Sequence, residues 1–554
     1  MDIKVVESVT KTIGSLALAY PYLRRLGVAE IIDAVTTSGK ERAVPTGRVL
    51  EVLILNRLSL RPSPISKVGA WAATQAVEDL YRIPAAALND DRIGRALDEV
   101  HPHLLEAWAA IVLRGAQAYG IALDRLHSDV TRVAFEGEYD AAPTTTADGR
   151  ALPQIRRGYT GKEDPSRKQL TVSVSVAADG ALPAWYRVAD GNAADTRAYL
   201  EHLAAVREWL HLDRPLVVGD SKLVTHANLL GFCRVGARLI GPTRLSPADR
   251  ATLRTRWQAG APFWRLDVPP AGAKPAAARY WGLEQAEVLA DPERGTDYAL
   301  RRLFVQSLDD RRATRHQRAK DLAGARRALW TIRDRLGRPA YRDPATVRRK
   351  VTDAVRKVRD YVQVTVSEAP GGWLAVRWRL DRDRLRELAE FDGIYTLVTN
   401  LPAAEATPRD VFRAYKGQIQ VERRFRVIKH PPLQLRPLWL HQPHRIESLV
   451  FVVMVALFLF TLIEREARRV VRQTGQLFTG LRPDGRETLP VTAERLVEVF
   501  APLSLVKQRL RVGSMTVETL TPTTLTPIQA QILDRLGLPR PELYLQPTVT
   551  PHPP

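Results

Sequence analysis

Apolar residues recur every three or four positions over residues 47–60 and 70–81, with Pro45, Pro62, Pro64 and Pro84 as punctuation, which predicts short packed helices. A helical N-terminal domain is expected over residues 1–115, of a kind that can place a helix in a DNA groove. From about residue 120 the period changes. Residues 126–135 form a short β-rich run, and Leu170, Val172, Val174 and Val176 alternate with Thr171, Ser173 and Ser175, as in a strand with one buried face. A third strand is expected at 184–188 after the Asp179–Gly180 turn. A helix over 195–210, an apolar strand at 216–219, a helix over 226–235 and a strand at 237–241 follow. This order predicts an α/β core: a mixed sheet covered by helices.

The order breaks near residue 245 and resumes with the apolar strand at 393–399, so the stretch between reads as an insertion. Its first part carries Trp257, Trp264 and Trp281 in β-like runs, and its second part is Arg-rich and helical. An amphipathic helix is expected from 408 to 429, then an apolar helix over 447–465 packed beneath the sheet. Past residue 515 the chain is rich in Pro and Thr, with one helical patch at 528–536, and reads as an extended strap or as disordered. The expected domains are 1–115 (helical), 116–245 (core, first part), 246–390 (insertion), 391–470 (core, second part) and 471–554 (C-terminal extension).

Charge sharpens the choice of partner. The chain has 82 Lys and Arg against 61 Asp and Glu, a net +21, and residues 301–360 alone hold 19 against 7. Such a one-sided surface attracts polyanions, nucleic acid above all. Residues 449–463 are fifteen without a charge, bounded by Glu447 and Glu464, whereas spanning a bilayer takes about 20, so a buried core helix is expected and no membrane partner. The apolar stretch at 16–22 has no basic flank before it and runs into Arg24 and Arg25, unlike a secretory signal. Cys233 is the only cysteine, so no disulfide within the chain and no cysteine-based zinc site can form, which fits a reducing compartment.

Two carboxylates are expected to end strands of the sheet: Asp129 in His127–Thr131 and Asp220 in Val218–Lys222. Either alone also reads as a turn or helix-capping Asp. On the helix after the last strand, Tyr415, Glu422 and Lys429 are seven residues apart, and seven steps of about 100° return to within about 20°, so the three form one stripe. Lys416, Arg423, Arg424 and Arg426 surround it, and Glu422 is the single acid between Asp410 and Glu447. Three converging carboxylates make a hard-oxygen site suited to two Mg²⁺ or Mn²⁺ ions, which can drive in-line attack on a phosphodiester. The eleven His are scattered and no Gly-rich loop precedes a helix, so no competing site stands out.

Asp129, Asp220 and Glu422, with a long insertion before the Glu, resemble the DDE transposases of bacterial insertion sequences, in the family-four group and its relatives. That group's signature is Tyr, two residues, Arg, three residues, Glu, six residues, Lys. Tyr415, Glu422 and Lys429 fit its spacing, and Gln418 stands at the Arg position. The Asp190–Asp195 turn also resembles the family's stretch between its second and third regions. The likeness covers roughly residues 120–465. It implies an RNase H-like core, metal-dependent cleavage at element ends and strand transfer into target DNA by a homodimer, in the cytoplasm at the nucleoid. Asp129, Asp220 and Glu422 would be the metal ligands. Tyr415, Lys416, Gln418, Arg423, Arg426 and Lys429 would contact double-stranded DNA. Relatives stack a flipped base on an aromatic residue of the insertion, for which Trp257, Trp264 and Trp281 are candidates. A metal-dependent nuclease without strand transfer and a catalytically silent DNA-binding descendant are the rival readings.

Overall fold

The computed structural model describes residues 3–36, 44–135, 139, 143–146, 148–158, 167–267, 279–369, 372–429, 433, 440, 442–481, 491–512 and 515–545. It begins with β1 (Ile3–Thr12) and seven helices: α1 (Leu16–Leu26), α2 (Val28–Thr36), α3 (Thr46–Leu58), α4 (Val68–Thr74), α5 (Val77–Tyr81), α6 (Asp90–Val100) and α7 (Leu104–Tyr119). Next come β2 (Arg125–Phe135), β3 (Arg156–Arg157), β4 (Lys168–Ala177), β5 (Pro183–Asp190), α8 (Asp195–Trp209), β6 (Leu216–Val218), α9 (His226–Arg234) and β7 (Arg238–Thr243). The middle of the chain forms α10 (Pro247–Gln258), β8 (Trp264–Arg265), β9 (Tyr280–Asp291), β10 (Thr296–Ser307), α11 (Leu308–Arg335), α12 (Pro344–Val355), β11 (Val362–Ala369), β12 (Trp373–Leu380), α13 (Arg382–Glu390), β13 (Ile394–Thr399) and α14 (Pro408–Lys416). The last elements are α15 (Ile419–Lys429), α16 (Pro443–Thr474), α17 (Ala493–Phe500), β14 (Ser504–Val512), β15 (Met515–Pro522) and α18 (Pro527–Leu536). Two compact units result: Met1–Leu239 with Lys416–Pro554, and Ile240–Tyr415.

In the first unit β2 pairs antiparallel with β4 along its whole length and parallel with β6 at its start, and β5 lies antiparallel on the outer edge of β4. This is the mixed sheet expected from the alternating and apolar runs. One expectation fails on β4, where both faces are buried. Its inward hydroxyls have a partner: the imidazole of His202, on α8, bonds Ser173 Oγ at 2.7 Å and Ser175 Oγ at 2.8 Å. Polar alternation therefore does not mark a wet face here. Burial pushes the pKa of His202 down to about 3, so the ring is neutral and can serve both hydroxyls.

The unit's core is organised by α16, 32 residues long, which packs on α1, α3, α6, α7, α15, α17, α18 and β5. It is long and apolar enough to cross a membrane, yet 94% of its most apolar stretch is buried inside the protein. Where that stretch ends, Glu464 is buried with Arg424 of α15 at 2.9 Å, and Arg468 pairs with the same carboxylate at 3.0 Å. Arg424 also donates to the carbonyls of Gly180 and Ala181 at the turn between β4 and β5.

Two expectations at the ends of the chain are corrected. The N-terminus is not helical throughout: β1 pairs with β14, and β15 adds a third strand. The Pro- and Thr-rich tail is likewise not a simple strap, because residues 515–522 form β15. A strand whose partner lies some five hundred residues away in sequence leaves little local trace. The patch at 528–536 does become α18, opened by Thr526 and Gln529 in a reciprocal cap with Pro527 at the first turn.

In the second unit β7, β13, β10 and β9 form consecutive antiparallel pairs, with β8 on the far edge. Trp257, expected in a β-like run, sits instead on α10, which starts from a Ser246–Asp249 capping box followed by Pro247. The Arg-rich stretch is the helix pair α11 and α12. Together with the β11–β12 hairpin it buries Leu329, Val347, Val351, Val358 and Val376 in a small core of its own.

Two predictions follow from this packing. Replacing Arg424 by Ala leaves Glu464 with one partner fewer in a dry setting and should cost about 3–5 kcal/mol in urea unfolding; a loss below about 1 kcal/mol would show the pair to be dispensable. Glu51 on α3 is fully buried, accepting from the Ala29 amide at 2.8 Å and the Tyr81 hydroxyl at 3.0 Å, and burial pushes its carboxyl up to about 7. The native state thus holds a proton that the unfolded chain releases near its ordinary pKa of 4.5. This contribution to stability is complete below that pH and is lost as pH rises through about 7. Glu51→Gln should flatten that part of the pH dependence, as read from urea unfolding across the same range.

Candidate catalytic site

The parallel pairing of β2 with β6 is only three residues long: Arg125 faces Leu216, Leu126 faces Val217 and His127 faces Val218. Two residues beyond the last pair stand Asp129 on one strand and Asp220 on the other chain segment. The register therefore brings the two acids to one level on neighbouring strands, which lie about 4.8 Å apart. Asp129 does not end its strand, contrary to expectation; it is the fifth residue of β2, whose pairing with β4 continues to Phe135. What ends beside it is β6.

Asp220 is held by its neighbours. The Tyr199 hydroxyl of α8 donates to its Oδ1 at 2.7 Å, and the Lys222 amide donates to the same oxygen at 2.9 Å. The Asp220 amide in turn donates to the Tyr199 oxygen at 3.2 Å. Burial, and then the Asp220 charge, raise the Tyr199 pKa well above its ordinary value, so the phenol keeps the proton it donates. Gly219 makes room for this contact, since a Cβ there would lie 2.7 Å from the Tyr199 ring.

Asp129 Oδ1 accepts from the Val130 amide at 2.7 Å. Its carboxyl is nevertheless pushed up to about 7, by burial first and then by the negative charges of Asp220 and Glu422, against the Val130 amide and the Lys222 ammonium. All three acids thus belong to one electrostatic neighbourhood in the first unit. Among the described residues, no three Asp, Glu, His or Cys side chains are gathered closely enough to hold an ion.

The expected single helix over 408–429 is broken at Gly417 and Gln418 into α14 and α15. Gly is the poorest helix former after Pro, and the Gln418 amide turns inward to donate to the Ser128 carbonyl at 2.8 Å. The stripe is broken with it. Tyr415 lies in the last turn of α14, in the second unit, where its ring is 6.1 Å from that of Tyr395, whereas Glu422 is on α15. Along α15, Val421, Phe425 and Ile428 point into the core and Glu422, Arg423 and Arg426 are exposed. Lys416 is exposed at the end of α14; the side chain of Lys429 lies outside the described residues.

Sequence reasoning missed the support beneath these acids. Ser128, next to Asp129, shares a hydrogen bond with Ser175 at 2.6 Å and so joins the His202 network, and Tyr199 steadies Asp220. The alternating serines were the available signal. The three Trp residues singled out in the insertion are all half-buried, Trp257 being stacked on Phe391. Trp330 and Trp373, not singled out, are 40% and 68% exposed, and the Arg333 guanidinium lies 3.6 Å above the Trp330 ring.

Comparison with known proteins follows the same residues. The family model described as "Transposase DDE domain" matches residues 129–459, beginning at Asp129 and including Asp220 and Glu422. A "Domain of unknown function (DUF4277)" matches residues 8–111. No curated protein matches. Among solved structures, the piggyBac transposase synaptic complex with hairpin DNA is 9% identical with a TM-score of 0.36, over 95% of this chain and 83% of that one. The Mos1 transposase paired-end complex with left transposon end is 12% identical with a TM-score of 0.15, over 36% and 61%.

Two substitutions test the support of Asp220. Tyr199→Phe removes a bond to a charged acceptor and should cost about 1.5–3 kcal/mol in chemical unfolding. Gly219→Ala should be at least as damaging, because the new methyl collides with a buried ring; a Gly219→Ala protein as stable as its parent would contradict the packing described.

Proposed function

Since the chain belongs to the transposase DDE domain family, whose model matches more than half of it, we propose that it cuts DNA at the ends of its own insertion sequence and joins the freed 3′-hydroxyl to target DNA. The observation that carries this is the placing of Asp129 and Asp220 at one level beyond the end of β6, with the charge of Glu422 felt at Asp129. The sheet of β5, β4, β2 and β6, with α8 and α15, is our candidate for an RNase H-like core. Family-four membership rests on the spacing of Tyr415, Glu422 and Lys429.

The donor chemistry fits a pair of Mg²⁺ or Mn²⁺ ions: three carboxylates offer hard oxygens, and Asp129, its pKa raised by burial and then by the charges of Asp220 and Glu422, has little cationic company of its own. When bound, such ions would activate the attacking oxygen and stabilise the leaving one. The chain's own part is to hold and orient. Asp129, Asp220 and Glu422 are the proposed ligands, with Tyr199 keeping the Asp220 carboxylate in place. Arg423, Arg426 and Lys416 are exposed cations placed to grip phosphates, and Tyr415 and Lys429 remain proposed DNA contacts. Gln418, by contrast, is proposed to set the start of α15 rather than touch DNA. The basic α11–α12 pair, with Trp330 and Trp373, offers aromatic and cationic groups of the sort that hold nucleic acid. The helical N-terminal domain is a further proposed DNA contact. The working form is proposed to be a homodimer acting in the cytoplasm at the nucleoid.

The test is cleavage of labelled duplexes carrying the sequences that flank the gene, beside strand transfer of pre-cut 3′-hydroxyl ends. The parent should do both with Mg²⁺ or Mn²⁺ and neither with chelator. Asp220→Asn and Glu422→Gln should bring cleavage below detection while duplex binding persists. Cleavage by Asp220→Asn at the parent rate would show that the site is elsewhere, and cleavage without joining would leave a nuclease.

A further inference from the structure

Beside α15 a cleft of about 690 Å³ opens within the first unit, and arginine dominates its lining. Arg423, Arg424 and Arg426 come from α15 and Arg465, Arg468 and Arg472 from α16, against the two acids Glu464 and Glu494. Three of the six have structural work. Arg424 and Arg468 share Glu464, and Arg465 is bound to Asp179, Glu466 and the carbonyls of Tyr119 and Gly120. The others differ: Arg423, Arg426 and Arg472 are exposed and form no ion pair or side-chain hydrogen bond among the described residues.

We infer that this cleft extends the phosphate grip proposed for Arg423 and Arg426 across to Arg472 of α16, so that it holds the phosphate backbone of duplex DNA; the inference rests on the reading of the protein as a DNA transposase. The argument is one of charge and spacing. Guanidinium groups that outnumber the carboxylates beside them repel one another, and a protein tolerates that where an anion is to be received. The half-buried Arg468 shows the crowding: burial lowers its pKa, and the charges of Arg424, Arg423 and Arg472 lower it further, against the pull of Glu464. The exposed cations stand on two helices. Arg423 and Arg426 are one turn apart on α15, about 4.5 Å along its axis, and Arg472 is on α16, one turn beyond the Arg468 that Glu464 already holds. Phosphates recur along each strand of a duplex, so cations spread over two helices can meet more than one of them. A lone inorganic phosphate would need the groups to converge on one point. Because α15 carries both Glu422 and this edge of the cleft, a strand held here is tied to the helix that bears the proposed catalytic acid.

The experiment measures binding of the full chain to a labelled duplex over a range of salt concentrations. It compares the parent, the triple variant Arg423→Ala, Arg426→Ala, Arg472→Ala, and a control triple at exposed arginines elsewhere in the unit: Arg509→Ala, Arg511→Ala, Arg540→Ala. The cleft variant should unfold with the parent, since its three side chains hold nothing in place. Its plot of log affinity against log salt should be shallower by roughly 2–3, about 0.9 for each phosphate no longer neutralised, while the control keeps the parent slope. An unchanged slope in the cleft variant, with the parent binding well, overturns the inference and leaves the transposase reading standing. A parent that binds no duplex overturns both. If inorganic phosphate binds the parent tightly, is not held by the cleft variant, and the DNA slope does not move, the cleft is a small-anion site and its assignment to DNA is wrong.

Discussion

A carboxylate inside an apolar helix bundle must be matched, and Glu464 is matched by Arg424. Removing both groups from water is costly, so the geometry is held tightly: Arg424 meets the carboxylate and two backbone carbonyls of the β4–β5 turn at once. With that guanidinium fixed, α15 cannot turn about its axis. Val421, Phe425 and Ile428 must face inward, and Glu422, Arg423 and Arg426 must face out. One buried ion pair thus sets the direction of the proposed catalytic Glu and of the basic edge beside it.

On the sheet side the same economy operates through neutral groups. His202, kept uncharged by burial, bridges two serines of β4, and Ser175 passes the connection to Ser128 beside Asp129. Tyr199 does for Asp220 what the serine chain does for β2. Asp129 and Asp220 therefore stand on hydrogen-bonded supports, and burial, then the charges of Asp220 and Glu422, raise the pKa of Asp129; a cation bound as proposed would oppose both effects.

Several elements were legible because their cause is local. The apolar run at 216–218, the alternation at 168–177 and the long uncharged stretch at 449–463 each carry their own periodicity, and β6, β4 and α16 lie where that periodicity places them. Where a distant partner decides, local patterns mislead. β1 exists because β14, some five hundred residues away in sequence, pairs with it, Gly417 and Gln418 break a helix that spacing alone would continue, and the hydroxyl face of β4 is dry because His202 reaches it.

The sequence by itself determined the chemistry on offer: which acids could act together, where the positive charge gathers and which helix is apolar enough to be buried. These follow from residue type and spacing, which need no knowledge of what lies across the fold. Tertiary structure alone decided that Asp129 and Asp220 stand level, because level is a matter of strand register. It alone decided which arginines are locked into the framework and which are left exposed around a cleft, because pairing depends on distance between residues far apart in the chain.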